Sequence, residues 1–364
     1  MAHGLNEWVY KIKGLKSEMN KSNRINYYDN LKVFSVIAVL LFHTSVEYYK
    51  INEHGWVSAI AYSAITRFCV PIFFMVSGAT IISKSESLVC FFKKRALKIL
   101  PPLFFWSLLY SIILSKINGT GFNIMESIAG IVTSPVYIHF WFIYAIIGLY
   151  LMMPVFMSIS EDKKIIVCTY YTSIWFLFAS IIPYGRLVGL PIPEYIGTPY
   201  MFNEMYQFFN YSGYMTLGFL VSKIELDSKK VAIKMLLLSI LMSVALFFMV
   251  IQDSIMKGKI TQDLWEFKTP LVVIFSVSVF LFFKNAKTSL TDKYGDKLSS
   301  IAGLVFPVYL VHYLYIFLIV RHFGYAFKAL PVIIQIPIET AIITLSSFIT
   351  VFIMSKIPFI NRLI

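Results

Sequence analysis

The sequence predicts an all-α integral membrane protein, a bundle of about ten transmembrane helices with the N-terminus and the C-terminus cytoplasmic. Composition is the first reason. Hydrophobic residues make up 58% of the 364 positions and charged ones 14%, with a mean hydropathy of +0.73. That leaves too little charge to cover a water-soluble chain of this length. The second reason is pattern. The apolar residues form long continuous runs, not the short alternating segments of a membrane barrel. In hydrocarbon only helices and closed barrels pair every backbone polar group, so the runs are read as helices. The third reason is where the basic residues fall, taken up with the spans.

A spanning helix needs about 20 mostly apolar residues. The runs place spans at 31–49, 63–82, 97–115, 136–157, 163–183, 205–222, 231–251, 268–284, 302–320 and 330–354. The sixth is the least apolar, being rich in Tyr and containing Asn210. With the N-terminus inside, 23 of the 32 Lys and Arg residues fall on the inner side of these ten spans. This is the bias that sets membrane topology, and it assigns the formal charge of +13 to membrane orientation instead of nucleic-acid binding. The expected organisation is a basic cytoplasmic leader at 1–30, a single transmembrane domain at 31–357 and a short tail at 358–364. The leader carries Lys11, Lys13, Lys16, Lys21 and Arg24 without an apolar core, unlike a cleaved signal peptide. Loops 184–204 and 252–267 are the longest on the outer side, and the Pro and Tyr of the former suit an interfacial cap. Cys69, Cys90 and Cys168 have neither disulfide nor metal spacing and read as apolar filler.

Ionisable groups inside spans are costly in lipid and therefore mark function. The set is Lys32, His43, Glu47, Arg67, His139, His312 and Glu339. Lys32 and His43 are eleven residues apart, which puts them on nearly one helix face about 16 Å apart along the axis. Glu47 follows His43 by four residues. On a helix it would orient the imidazole and raise its basicity, as a general base requires. The competing reading has Lys32 snorkelling to the interface and His43 packing against a neighbour. Lys93, Lys94, Arg95 and Lys98 form a basic turn before Pro101-Pro102, fit either for a phosphate-rich ligand or for anchoring the inner side. His139 and His312, with His43, fall toward the outer half and point to a polar cavity there. No HExxH or Cys/His set accompanies them, so no metal is expected. Arg67 near the outer face either holds an acidic sugar or snorkels, and Ser77 beside Gly78 is either a substrate contact or a small-residue helix contact.

Taken in order, five motifs resemble one family, the membrane-bound acyltransferase 3 proteins, known as O-acetyltransferases of bacterial surface polysaccharides. They are Asp29-Asn30-Leu31-Lys32 through Phe42-His43-Thr44; Val70-Pro71-Ile72-Phe73-Phe74-Met75-Val76-Ser77-Gly78; the basic turn into Pro101-Pro102 and Trp106; His139-Phe140-Trp141-Phe142 with Tyr150-Leu151-Met152-Met153-Pro154; and Val308-Tyr309-Leu310-Val311-His312. Two positions depart from the family pattern. Lys32 stands where Arg is usual, and the inner RxxR reads Arg95-Ala96-Leu97-Lys98. Within the family the chain is similar to acetyltransferases of enterobacterial common antigen and related glycans.

The resemblance implies a multi-pass enzyme of the bacterial cytoplasmic membrane. Its co-substrate would be acetyl-CoA supplied from the cytoplasm, with no permanently bound cofactor. The acceptor would be a sugar hydroxyl of a surface glycan, or of its lipid-linked precursor, at the outer side. It implies that Lys32, Lys93, Lys94, Arg95 and Lys98 hold the donor, that His43 with Glu47 performs the transfer, and that Asp29, Arg67, Ser77, His139, Trp141 and His312 contact the acceptor. Base catalysis and an acetyl-His intermediate both remain open. The rival functions are a polysaccharide or lipid-carrier transporter and a non-catalytic partner. The first lacks the inverted repeat and broken helices of alternating access, and the second does not need the basic turn and His43.

Overall fold

The computed structural model describes residues 26–51, 53–191, 203–226, 228–286, 297–322, 324–327 and 329–364; the side chains of 203–210, 325, 326 and 362 fall outside this set. The leader up to residue 25 and most of the 184–204 loop lie outside the described residues.

Among the described residues twelve helices carry the fold: α1 (Asn26–Val46), α2 (Trp56–Thr66), α3 (Cys69–Ile81), α4 (Leu88–Asn118), α5 (Ile124–Thr133), α6 (Trp141–Met157), α7 (Glu161–Leu187), α8 (Asn203–Lys223), α9 (Lys229–Lys257), α10 (Pro270–Asn285), α11 (Val305–Ile316) and α12 (Val332–Lys356). Nine spans in this set are long and apolar enough to cross a membrane, with α2 and α3 counted as one. The 21-residue α8 stands in the place of the sixth predicted span. The protein is a multi-pass helical membrane protein.

Among the described residues α1 runs from Asn26, so residues 26–30 are helical. It is the hub of the bundle, packing on α2, α3, α10, α11 and α12. α4 and α9 lie at the rim, and α9 presents Leu237, Leu241 and Phe248 outward, an apolar face suited to lipid. α3 and α8 make the most extensive helix pairing. Their approach is set by glycine: a Cβ on Gly78 would lie 1.9 Å from the Met215 carbonyl oxygen, and one on Gly218 2.1 Å from that of Met75. Gly78 therefore supplies the small-residue helix contact, and Ser77 faces elsewhere.

Two local features differ from the sequence reading. The Pro101-Pro102 pair does not end a basic turn; α4 runs through both prolines for 31 residues. Ser87 caps its start by accepting from the Cys90 amide. Proline inside a membrane helix is tolerated where neighbours re-satisfy the freed carbonyls. The cations are thus displayed on a helix, where Lys94, Arg95 and Lys98 share a face and Lys93 turns away. The second feature is α5, a short helix whose Ile124, Met125, Ile128 and Val132 stay exposed. Tyr144 secures its end by donating to the carbonyls of Ile131 and Ser134.

A cavity joining a basic mouth to a histidine cluster

α1, α3, α4 and α6, with the start of α11, enclose a cavity of about 500 Å³. At one end its wall is Lys32 of α1, Lys84 and Glu86 of the α3–α4 turn, and Lys94, Arg95 and Lys98 of α4. At the other end it is His43, His139, Trp141 and Tyr309. Val39, Val76, Ser77, Thr80, Ile146 and Tyr150 line the passage between. The eleven-residue rise from Lys32 to His43 therefore measures the length of a real conduit, charged at one end and aromatic at the other.

The mouth holds five cations and one carboxylate. Glu86 pairs with Lys94 at 2.8 Å and also with Arg95, whose guanidinium lies over the Phe91 ring at 3.9 Å. Lys94 first, then Arg95, holds the Glu86 carboxyl below the usual carboxylate range, against the opposing effect of burial. A depressed carboxyl keeps its ion pairs above its ordinary value and releases them only as pH falls through the lowered one. The clasp is therefore closed throughout the neutral range. Glu86→Gln is expected to lower the KM for an anionic ligand of this mouth about fivefold at neutral pH and low salt, and to steepen its salt dependence. A raised KM would instead make Glu86 an indispensable positioner of Arg95.

One residue expected at the mouth, Lys93, and one expected acceptor contact, Asp29, are absent from the cavity wall. Lys93 is exposed and does not line the cavity, because one residue shifts it about 100° around α4 from Lys94. Asp29 is 3% exposed and accepts from Lys32 Nζ at 3.2 Å one turn along α1. It holds Lys32 in place and has no cavity face.

At the far end the three histidines assemble. The His312 ring lies between those of His43 and His139, with centroids 5.3 and 5.1 Å away. His43 is half-buried, and its Nδ1 shares a 2.9 Å hydrogen bond with the Tyr313 hydroxyl. His139 is 1% exposed on the short 3₁₀ turn Ile138–Phe140, and neither of its ring nitrogens has a partner. Tyr309 donates to the His139 carbonyl and fixes that turn. His312 is bonded through Nδ1 to the Tyr309 carbonyl at 2.6 Å and sits behind the cavity wall instead of on it. Among the described residues no group of His, Cys, Asp and Glu has the arrangement of a metal site.

Glu47 does not orient His43. α1 ends at Val46, and the Glu47 amide turns back to the Thr44 carbonyl, so the four-residue helical spacing is lost. Its carboxylate is instead forked by Arg321, Nε to Oε2 at 3.0 Å and Nη2 to Oε1 at 2.9 Å. Arg321 comes from the π-helical turn Phe317–His322 that continues α11. Tyr313 takes the orienting place. The sequence reading misses it, although Tyr309 and Tyr313 flank His312 at helical spacing. Arg67 is not at the surface either: it is 4% exposed, lies at the α2–α3 break and is absent from the cavity wall.

The family model described as an acyltransferase domain, that of acyltransferase 3, matches residues 25–356. No curated protein and no solved structure matches the chain. The match takes in α1 with His43, the basic start of α4, the His139 turn and every residue of the cavity wall. The chain therefore belongs to the acyltransferase 3 family and is a multi-pass membrane acyltransferase.

Proposed function

We propose that the protein transfers an acetyl group from cytoplasmic acetyl-CoA to a sugar hydroxyl of a surface polysaccharide, or of its lipid-linked precursor, at the outer side of a bacterial cytoplasmic membrane. The observation that carries this reading is the continuity of the cavity from the cations to His43. Nucleotide phosphates suit Lys32, Lys84, Lys94, Arg95 and Lys98, where Arg95 offers a fork and the lysines offer point charges. The pantetheine arm is an extended chain that suits the narrow passage past Ser77, Thr80 and Tyr150. The thioester then arrives at His43.

There the residues divide the work. With Nδ1–H donating to the Tyr313 oxygen, His43 Nε2 keeps its lone pair and takes the proton of the acceptor hydroxyl as that oxygen attacks the thioester carbonyl. The tetrahedral oxyanion collapses, the ester forms, and the CoA thiolate leaves with a proton returned from His43. His139, whose ring lies near the Leu310 carbonyl without a hydrogen bond of good geometry, would donate to the oxyanion or hold the acceptor. Trp141 offers a ring face for the sugar.

The test is the full chain in liposomes with labelled acetyl-CoA on one side and a glycoside on the other. Labelled acetyl-glycoside and free CoA should appear in equal amounts. Arg95→Gln with Lys98→Gln should raise the donor KM by about 10- to 100-fold, with a smaller change in kcat. Movement of intact glycoside without label would replace transfer by transport.

A further inference from the structure

Arg67, expected from the sequence either to hold an acidic sugar or to snorkel, takes no part in the transfer steps above. Its guanidinium lies over the Phe42 ring at 4.4 Å and the Trp265 ring at 4.2 Å. Such stacking uses the planar faces of the group and leaves its N–H edge unsatisfied. Nε and Nη2 are both buried without a hydrogen-bond partner. The Trp265 indole N–H and the Tyr49 hydroxyl, on rings stacked at 6.2 Å, are buried and unpartnered as well. The Tyr49 hydroxyl sits close to the guanidinium without hydrogen-bond geometry. Glu266 acts on the guanidinium through charge without forming an ion pair, so the two buried N–H groups of Arg67 and the Trp265 N–H are left without an acceptor, a costly arrangement that calls for one.

Arg321 shows what such an edge takes. Its Nε and Nη2 hold the two oxygens of Glu47. These are the same two nitrogens that stand without a partner in Arg67. The position relative to the chemistry is equally specific, since the Phe42 ring that carries Arg67 also lies 5.1 Å from the imidazole of His43.

We propose that Arg67, with Tyr49 and Trp265, is a carboxylate-binding subsite beside His43 that selects an acidic substrate for transfer. The inference rests on the transferase reading above. The carboxylate belongs either to a uronic-acid acceptor or to a dicarboxylic acyl group on the donor; Arg67 lies off the wall of the donor passage, which favours the acceptor. Tyr49 follows the end of α1, and Trp265 closes the short turn Asp263–Trp265. Both covers are on connecting segments.

Purified full-length protein in nanodiscs would be assayed with methyl glucuronide against methyl glucoside, and with succinyl-CoA against acetyl-CoA. Arg67→Gln should lower kcat/KM for the acidic partner, relative to its neutral counterpart, by about 10- to 100-fold, with Arg67→Lys recovering part of the preference. A preference lost on the acceptor arm assigns the carboxylate to the sugar; one lost on the donor arm assigns it to the acyl group. Equal losses for acidic and neutral substrates in Arg67→Gln, or no acidic preference in the wild type, overturn the subsite. If no donor and acceptor pair reacts, thermal stabilisation by glucuronate or succinate, present in wild type and absent in Arg67→Gln, still establishes the subsite while the transferase reading fails. Stabilisation that is equal in both proteins, or absent from both, removes it.

Discussion

His43→Ala is expected to reduce acyl transfer by about 10²- to 10⁴-fold while leaving the protein in the membrane at wild-type abundance. The imidazole stands at the end of the cavity away from the cations, and its side-chain hydrogen bond to Tyr313 is a single, half-buried contact. Removing it therefore takes away a base without opening the core. Neighbouring Thr44 and Ser45 hold α1 independently, through the Leu40 and Phe42 carbonyls and the Ser63 hydroxyl. Tyr313→Phe is the graded companion: it leaves the base and deletes its orienting hydroxyl, so kcat should fall by less than in His43→Ala while donor KM stays near wild type. The assay is initial-rate transfer at several donor concentrations, paired with quantification of the protein in membranes. A raised KM with preserved kcat in His43→Ala would reduce His43 to a wall residue. Label retained on acid-quenched wild-type protein in the absence of acceptor, and lost in His43→Ala, would make the imidazole an acyl carrier in place of a base.

What the sequence made legible was what periodicity and composition determine. Hydropathy exposes long helices, and helical geometry alone aligns Lys32 with His43, since eleven residues complete just over three turns. A polar site shared by His43, His139 and His312 was also foreseeable, because all three fall toward the outer half of their spans. Helix ends were not legible. Glu47 parts from His43 only because α1 stops at Val46, and Lys93 leaves the mouth only because α4 starts early enough to make the basic segment helical. Partners from distant sequence were hidden too. Tyr313 reaches His43 across 270 residues, and Arg321 reaches Glu47 across 274. Arg67 could be read as a cation near one face of the membrane, but not as one sealed between Phe42 and Trp265, because Trp265 lies on a loop whose course no periodicity sets.

Gly78→Ala is expected to lower the detergent melting temperature and the membrane yield sharply, because α3 and α8 approach to backbone contact at this residue. The added carbon would fall 1.9 Å from the Met215 oxygen, 2.5 Å from its carbonyl carbon and 2.6 Å from its Cα. None of these atoms can rotate aside, so one helix must move as a body. Overpacking of this kind costs roughly 1–3 kcal/mol, and backbone obstruction belongs at the upper end of that range or beyond it. The effect should also reach function, since Ser77 and Thr80 of α3 line the cavity and shift with the helix. Gly218→Ala meets the Met75 backbone from the opposite side at 2.1 Å and should behave alike. Gly130→Ala is the control, for nothing lies within 4 Å of the place its methyl group would take on α5. The double replacement of Gly78 and Gly218 is the discriminating variant. Once the first methyl has driven α3 and α8 apart, the second finds space already made, so the two losses should sum to clearly more than the loss measured in the double variant. Melting temperatures for Gly78→Ala and Gly130→Ala that coincide would mean that the two helices do not touch through glycine at all.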